Sequence, residues 1–174
     1  MQEWGQASLI GVIGRGKLKG ERWKDGGRFP DDGRRRTDGM VNNKVCDVEN
    51  LKTFWVVEAE DALRVAAHLV EKEDFSYALF FGHLALEKLL KGLCVNNLGD
   101  HAPPIHNLVR LAEVAGLDVE DKTLNSLITI TGFNIESRYP DFKRSFRKKC
   151  TRDFTMVQMR EIERIFKWFR SHLK

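Results

Sequence analysis

Apolar side chains downstream of residue 47 recur with the 3.6-residue period of amphipathic helices, and no stretch shows a sustained strand-like alternation. This pattern predicts an all-α fold, an antiparallel up-and-down bundle of four to five helices. Upstream, residues 1–39 hold nine of the fourteen glycines and few large apolar residues. We therefore predict a disordered tail over residues 1–39 and a helical bundle over residues 40–174. We also hypothesise that Met40 is the natural start, so that the tail is not part of the natural protein.

Two long helices are predicted in the first half of the bundle. Asp47 fits the N-cap of a helix that runs to about Lys72 with a continuous inward stripe. A second helix is predicted over residues 75–96. Because it is apolar over most of its circumference, as helices packed on several sides are, we place it at the centre of the fold.

The second half is predicted to contain a short helix and two longer ones. A double proline precedes the short helix, which we place at residues 105–115 with Gly116 as its C′ residue. A fourth helix over residues 121–136 is expected to bury Leu124, Leu127, Ile128 and Ile135. A basic loop then leads to Thr155 and Gln158, whose spacing fits a capping box that opens the final helix.

Composition and charge argue against several classes of function. No apolar run approaches the roughly eighteen residues of a membrane span, so we expect no membrane association. Three scattered cysteines, at positions 46, 94 and 150, form no disulfide framework and indicate a cytoplasmic protein. Metal motifs such as HExxH are missing, and no catalytic set or cofactor is predicted. The net charge of +4 belongs mainly to residues 1–39, which weakens it as evidence for nucleic-acid binding by the bundle.

A polar row inside the second helix is the most informative pattern in the chain. His83, Glu87 and Lys91 recur every four residues, so their side chains adjoin on one helix face, and Lys88 lies beside them. Two interpretations are open. The row is either an exposed stripe with a weak Glu87–Lys91 pair, because a bundle helix needs a solvated side, or part of a ligand site.

Two other positions are similarly open to a structural or a functional interpretation. His106, just after the double proline, is either a helix N-terminal residue beside a ligand or an ordinary loop histidine. Arg138 ends the fourth helix, where its planar guanidinium suits phosphate recognition through paired hydrogen bonds. Alternatively, Arg138 holds the turn by pairing with Asp141 or with the helix C-terminus.

The loop before the final helix is strongly basic. Six positive charges fall within ten residues: Lys143, Arg144, Arg147, Lys148, Lys149 and Arg152. The first five are candidate nucleic-acid contacts, although a solvated loop has the same composition. Phe142 and Phe146 interleave with these charges, as stacking groups do on nucleic-acid surfaces. For the two phenylalanines we favour the simpler prediction, that they anchor the loop to the bundle.

Three segments, in order over about 100 residues, together resemble the HEPN domain family. Residues 77–93 are similar to the second helix of HEPN domains, with EKxxK at residues 87–91. Residues 106–111, HNLVRL, are similar to the HxLxxL segment that follows it. Residues 138–141 match the RYPD element before the last helix.

This resemblance implies a helical bundle that commonly dimerises, is suspected to bind nucleotides and is often encoded beside a minimal nucleotidyltransferase. The ligand-binding candidates, carried over by position, are Glu87, Lys88, Lys91, His106, Arg138 and Asp141. The two lysines and Arg138 would contact phosphate, and the two carboxylates would orient them. The implied function is a dimeric nucleotide- or RNA-binding module that partners a minimal nucleotidyltransferase in a toxin–antitoxin-like pair.

Many HEPN proteins are instead ribonucleases marked by an arginine followed, after four to six residues, by a histidine. This sequence departs from that pattern, because no histidine follows Arg138 before His172, and only three residues separate Arg64 from His68. The prediction therefore leans against an enzyme. Two alternatives to the leading hypothesis remain. One is a ribonuclease toxin with a non-standard active site, formed by Arg138 and a histidine brought near by folding. The other is a purely structural interaction subunit.

Overall fold

Six helices make up the part of the chain that the computed structural model describes, which is residues 40–173, with side chains from residue 47 onward. No strand is present in this range, and the predicted all-α helical bundle is confirmed. The predicted tail, residues 1–39, lies outside the described residues. The helices are α1 (Met40–Glu71), α2 (Phe75–Leu98), α3 (Leu108–Val114), α4 (Asp121–Arg138), α5 (Ser145–Lys149) and α6 (Arg152–Arg170).

The central helix is α2, as its nearly continuous apolar surface predicts. It packs against α1, α3, α4 and α6 and also touches α5. Gly82 allows the close approach of α6, since a Cβ atom there would lie 2.7 Å from Cδ1 of Ile162. At the C-terminus, Gly99 takes the left-handed conformation that ends the helix, with φ of 64°. Because α2 has neighbours on every side, even its polar face is covered.

The start of α1 differs from the prediction. Asp47 is not an N-cap, because the helix already begins at Met40. Residues 40–46 contain neither glycine nor proline, so no residue there interrupts the backbone hydrogen-bond ladder. The expected end near Lys72 agrees with the observed end at Glu71.

The start of α6 also differs from the prediction. Thr151 is the N-cap, and its hydroxyl accepts a hydrogen bond from the backbone N–H of Phe154 at 3.3 Å. Thr155 lies one turn inside the helix and is fully buried, so the predicted capping box of Thr155 and Gln158 is wrong. The earlier start gains backbone bonds, such as the one from Thr155 N–H to Thr151 O at 2.9 Å.

The short helix α3 ends where the sequence predicts, before a glycine. Gly116 is the predicted C′ residue of α3, with φ of 70°, although α3 itself begins three residues later than expected, at Leu108. The N–H of Leu117 bonds back to the carbonyl of Ala112 at 3.1 Å, which closes the turn. The basic loop is helical in part, because α5 forms within it.

Two of the side chains predicted to be buried by α4 lie on its outer face. Leu127 is fully buried, whereas Ile128 and Ile135 are 57% and 55% exposed. Adjacent helical residues are turned by about 100°, so α4 cannot bury Leu127 and Ile128 equally well against one neighbour. The helix therefore carries apolar side chains on two opposite faces.

Candidate functional site

The polar row of α2 is buried. His83 is 0% exposed, Glu87 4% and Lys91 8%, so the interpretation as a solvated stripe is wrong. Ionisable side chains are seldom buried at this level without a specific partner. The contacts of these three residues therefore define the candidate site.

Glu87 lies at the centre of these contacts. Its Oε1 atom accepts hydrogen bonds from Nζ of Lys91 at 2.9 Å and from Nδ1 of His106 at 3.0 Å. Its Oε2 atom is buried without a hydrogen bond and lies 3.8 Å from Nδ1 of His83. The ammonium group of Lys91 also lies 5.2 Å from the ring centroid of Trp55 on α1, a cation–π contact.

His83 faces Glu87 as a neutral imidazole. Its Nε2 atom lies 3.2 Å from the backbone carbonyl of His106, and because a carbonyl only accepts, Nε2 carries the proton. Nδ1 is then an unpaired acceptor that faces Glu87 Oε2. Burial lowers the pKa of His83 below its ordinary value. The charge of Glu87 and the hydrogen bond to the His106 backbone oppose this shift, whereas the charge of Arg138 adds to it.

His106 is the exposed member of the group. It lies in the loop before α3, not in the helix, and 65% of its side chain is accessible to solvent. Asn107 is the N-cap of α3, and the backbone N–H of Leu108 donates to Oγ1 of Thr131 on α4 at 3.3 Å. These bonds hold the loop in place. Glu87 binds Nδ1 of the His106 ring, which leaves Nε2 of the same ring available to a ligand.

Arg138, the last residue of α4, is exposed and acts on His83 electrostatically. Its Nε atom donates to the carbonyl of Asn134 at 3.1 Å, which is the predicted contact with the helix C-terminus. The guanidinium lies 5.4 Å from the ring centroid of Tyr139. Its two terminal nitrogens make no hydrogen bond within residues 47–173, so a planar pair of donors remains open to an anion.

Asp141 has a local structural contact and does not pair with Arg138. Its Oδ1 atom accepts a hydrogen bond from the backbone N–H of Ser145, the first residue of α5, at 2.8 Å. Hydrogen bonds from Ser145, the backbone one above all, hold the pKa of this carboxyl below its ordinary range. With Tyr139 and Lys149, among other residues, Asp141 lines a surface cleft of about 240 Å³.

Lys88 forms an ion pair outside this group: its ammonium group lies 2.5 Å from the carboxylate of Glu58 on α1.

The structure thus brings together Glu87, Lys91 and His106, with Arg138 close enough to act on His83 electrostatically. The sequence interpretation missed Glu58 as a partner, and no local signal identifies it, since 30 residues separate the pair. The apolar period of the first helix places Trp55 on its inward stripe, and no motif predicts the contact of Trp55 with Lys91.

The basic segment around α5 has one anchoring aromatic residue and one exposed aromatic residue. Phe146 is buried, with its ring centroid 5.7 Å from that of Phe133, so the anchoring prediction holds for this residue. The same prediction is wrong for Phe142, which is fully exposed. The Pro140–Phe142 turn lies outside the helices, so no neighbouring element covers the Phe142 ring.

Some of the basic side chains in this segment contact other residues of the bundle, and others do not. Arg147 donates to the hydroxyl of Tyr77 at 2.6 Å, and Lys149 lies 5.1 Å from the ring centroid of Phe154. Lys143, Arg144 and Lys148 are exposed, and their side chains make no hydrogen bond or ion pair within residues 47–173. These three are the cations most available to a polyanion.

The described part of the chain shows no features of a reactive cysteine, a metal site or a membrane-spanning helix. Burial raises the pKa of the Cys94 and Cys150 thiols to about 11, which keeps both protonated. No group of three or more metal-ligating side chains occurs among the described residues. Within the same range, no helix is long and apolar enough to cross a membrane.

Comparison with known proteins adds three findings. The family model described as "HEPN domain" matches residues 53–172, a range that includes every contact described above. Among solved structures, the crystal structure of TT1696 from Thermus thermophilus has a similar fold, with a TM-score of 0.60. The sequence identity is 20%, and the match covers 70% of this chain and 98% of that chain, so the similarity concerns the fold alone. No curated protein sequence matches the chain significantly.

Proposed function

Because the chain belongs to the HEPN domain family, we propose that its bundle is a dimeric module that binds phosphate-bearing ligands, either nucleotides or RNA. In this proposal it partners a minimal nucleotidyltransferase in a toxin–antitoxin-like pair. The phosphate would bind at the exposed edge formed by His106 and Arg138, supported from below by Glu87 and Lys91.

The observation that carries the proposal is the hydrogen bond between the buried Glu87 carboxylate and the exposed His106 ring, 3.0 Å long. An ionised carboxylate only accepts, so Nδ1 holds the proton and the orientation of the ring is set from inside the protein. The terminal guanidinium nitrogens of Arg138 are free of hydrogen bonds within residues 47–173, and the charge of Arg138 acts on His83, whose ring contacts the His106 carbonyl. An oriented imidazole and an open guanidinium are groups that recognise phosphate.

The basic segment supports a longer ligand than a single nucleotide. Phe142 is fully exposed beside the unpaired cations Lys143 and Arg144, an arrangement that suits base stacking next to phosphate contacts. Arg138 precedes this segment by four residues, so one RNA strand is expected to contact both.

Thermal unfolding of the full chain with a panel of nucleotides and short RNAs tests the proposal. A ligand at about 100 times its Kd raises the free energy of unfolding by about 2.7 kcal/mol. We expect the shift to be lost in Arg138→Ala and in His106→Ala. It should persist in Arg110→Ala, a matched control whose exposed side chain forms an ion pair with Glu113 on α3. The absence of a shift with every ligand, or an equal shift in all variants, would contradict the proposed site.

The partner is tested separately by purifying the tagged chain from its native host. We expect a minimal nucleotidyltransferase to copurify in near-stoichiometric amount. If none does and no nucleotide binds, the structural-subunit alternative becomes the better account.

A ribonuclease with a non-standard site is the second candidate, and one observation favours it. Folding brings His83 close enough to Arg138 for the two to interact electrostatically and places the His106 carbonyl against His83, although neither histidine lies at the family's standard spacing from Arg138. His106, oriented by a carboxylate, has the arrangement of a general base, and Arg138 would stabilise charge on the phosphate. We expect RNA cleavage, if present, to disappear in His106→Ala and to persist in His101→Ala, which removes another exposed histidine. Cleavage that survives His106→Ala and Arg138→Ala would eliminate this candidate.

A further inference from the structure

An exposed apolar stripe runs along the outer face of α4. Ile128 and Ile135 are 57% and 55% exposed, and Tyr139, just after the helix, is 69% exposed. With Gly132 they follow the spacing i, i+4, i+7 and i+11, which places all four on one side of the helix. We call this set, Ile128, Gly132, Ile135 and Tyr139, the outer stripe. The opposite side of α4 is filled by Leu127, Ile130 and Phe133, which are buried.

Gly132 has no packing role among the described residues. A Cβ atom built there would meet nothing within 4 Å, so alanine would fit without displacing any neighbour. Glycine in a helix interior is nevertheless less favourable than alanine. A glycine flanked by exposed isoleucines leaves a hollow in the outer stripe, and such a hollow permits close approach by another helix.

We propose that the outer stripe binds the outer stripe of a second copy of this chain, with the two α4 helices antiparallel. A two-fold axis between positions 132 and 135 places Ile135 of one copy over Gly132 of the other. The same axis places Ile128 opposite Tyr139. Ile135 then fills the hollow at Gly132 and Ile128 packs against the Tyr139 ring, so the stripe is self-complementary.

The charges at the two ends of α4 favour this antiparallel arrangement. Glu120, Asp121 and Lys122 give its N-terminus a net charge of −1, whereas residues 136–144, at and after its C-terminus, hold three basic and two acidic side chains, a net charge of +1. An antiparallel pair brings the acidic end of one copy beside the basic end of the other. A parallel pair would place like charges together, which opposes association.

This inference specifies the surface of the homodimer contained in the proposed function and rests on that part of it. Sedimentation velocity of the full chain over a range of concentrations provides the test. We expect the wild type to dimerise and Ile135→Glu to raise the dimer Kd about 100-fold or more, since a buried unpaired carboxylate opposes association. Val57→Glu, at an aliphatic position on α1 with 49% exposure, is the matched control and should leave the dimer intact.

A second variant keeps the test independent of folding defects. Gly132→Ala should raise the thermal stability of the chain at concentrations where it is monomeric, yet weaken the dimer about tenfold or more by filling the hollow. A monomeric wild type, a dimer unaffected by Ile135→Glu, or a dimer strengthened by Gly132→Ala would overturn the interface.

Nucleotide-induced thermal shifts on the same variants separate the two proposals. If the ligand-induced thermal shift is observed but Ile135→Glu leaves dimerisation unchanged, only the proposed interface is wrong. If the shift is absent while Ile135→Glu dissociates the dimer, the interface stands and the ligand site is wrong.

Discussion

At the scale of single residues, Glu87 determines how charge is accommodated inside the bundle. Its side chain is 6% exposed, and one carboxylate oxygen accepts hydrogen bonds from Lys91 and His106. Burying the Glu87 carboxylate costs several kcal/mol, and its two hydrogen-bond partners offset that cost. The carboxylate in turn compensates the buried ammonium group of Lys91. Removing one charged side chain from this network therefore leaves its partner buried without compensation, which destabilises the fold.

We predict that Glu87→Ala lowers the free energy of unfolding by about 3 kcal/mol, because it leaves the Lys91 ammonium buried and unpaired. The double variant Glu87→Met/Lys91→Met should recover most of that loss, since two apolar side chains need no compensation. Urea denaturation measures both. A double variant less stable than Glu87→Ala would mean that the ion pair itself stabilises the fold.

His83 gives the bundle a defined dependence on pH. Because burial lowers its pKa in the folded state, the unfolded chain binds more protons below about pH 6.5. Stability should therefore fall as the pH decreases below 6.5, by at most about 1.4 kcal/mol per pH unit from this group. We expect His83→Gln to flatten that decline and His68→Gln, at an exposed site on α1, to leave it unchanged. Equal slopes in all three proteins, measured by denaturation from pH 5 to pH 7, would contradict a buried neutral imidazole.

At the scale of helices, the start of α6 shows how two equivalent local signals are resolved. Thr151 and Thr155 both have cap-compatible side chains, and the structure uses the first and buries the second. The hydroxyl of Thr155 is left without a hydrogen bond.

We predict that Thr151→Ala destabilises the protein by about 1 kcal/mol through loss of the cap. Thr155→Val should be neutral or stabilising, because it replaces an unsatisfied buried hydroxyl with a methyl group. Chemical denaturation of both variants checks this, and the opposite ranking would restore the predicted capping box at Thr155.

At the scale of the whole molecule, the basic segment and the His106–Arg138 edge predict a salt-dependent interaction with RNA. Changing Lys143 and Arg144 to serine should reduce the slope of log Kd against log salt by about 0.7 for each lost phosphate contact. Phe142→Ala should weaken binding while leaving the slope unchanged, because stacking releases no counterions. Lys72→Ser, an exposed change between α1 and α2, serves as the control. Filter binding across a salt series measures all four proteins, and an unchanged slope in the serine variant would place the phosphates elsewhere.

Local sequence information was enough to predict the class of fold, the approximate extent of the long helices and the family. The signals are the 3.6-residue apolar period, the glycine that follows α3, and three motifs in a characteristic order. A helix closes its hydrogen bonds within four residues, so its existence can be predicted from neighbouring residues alone. The candidate residues at positions 87, 91, 106 and 138 were found in the same way, through motif resemblance.

Packing between helices determined which face of each helix is covered and which partner each side chain meets. The polar row of α2 allowed either an exposed or a buried interpretation, and the surrounding helices buried it. The isoleucines at 128 and 135 looked like core residues, yet α4 can present only one face to α2. The contacts of Glu87 with His106 and of Lys88 with Glu58 join positions 19 and 30 residues apart. Contacts of this range depend on the tertiary arrangement, because apolar periodicity along one helix carries no information about the helix that lies beside it.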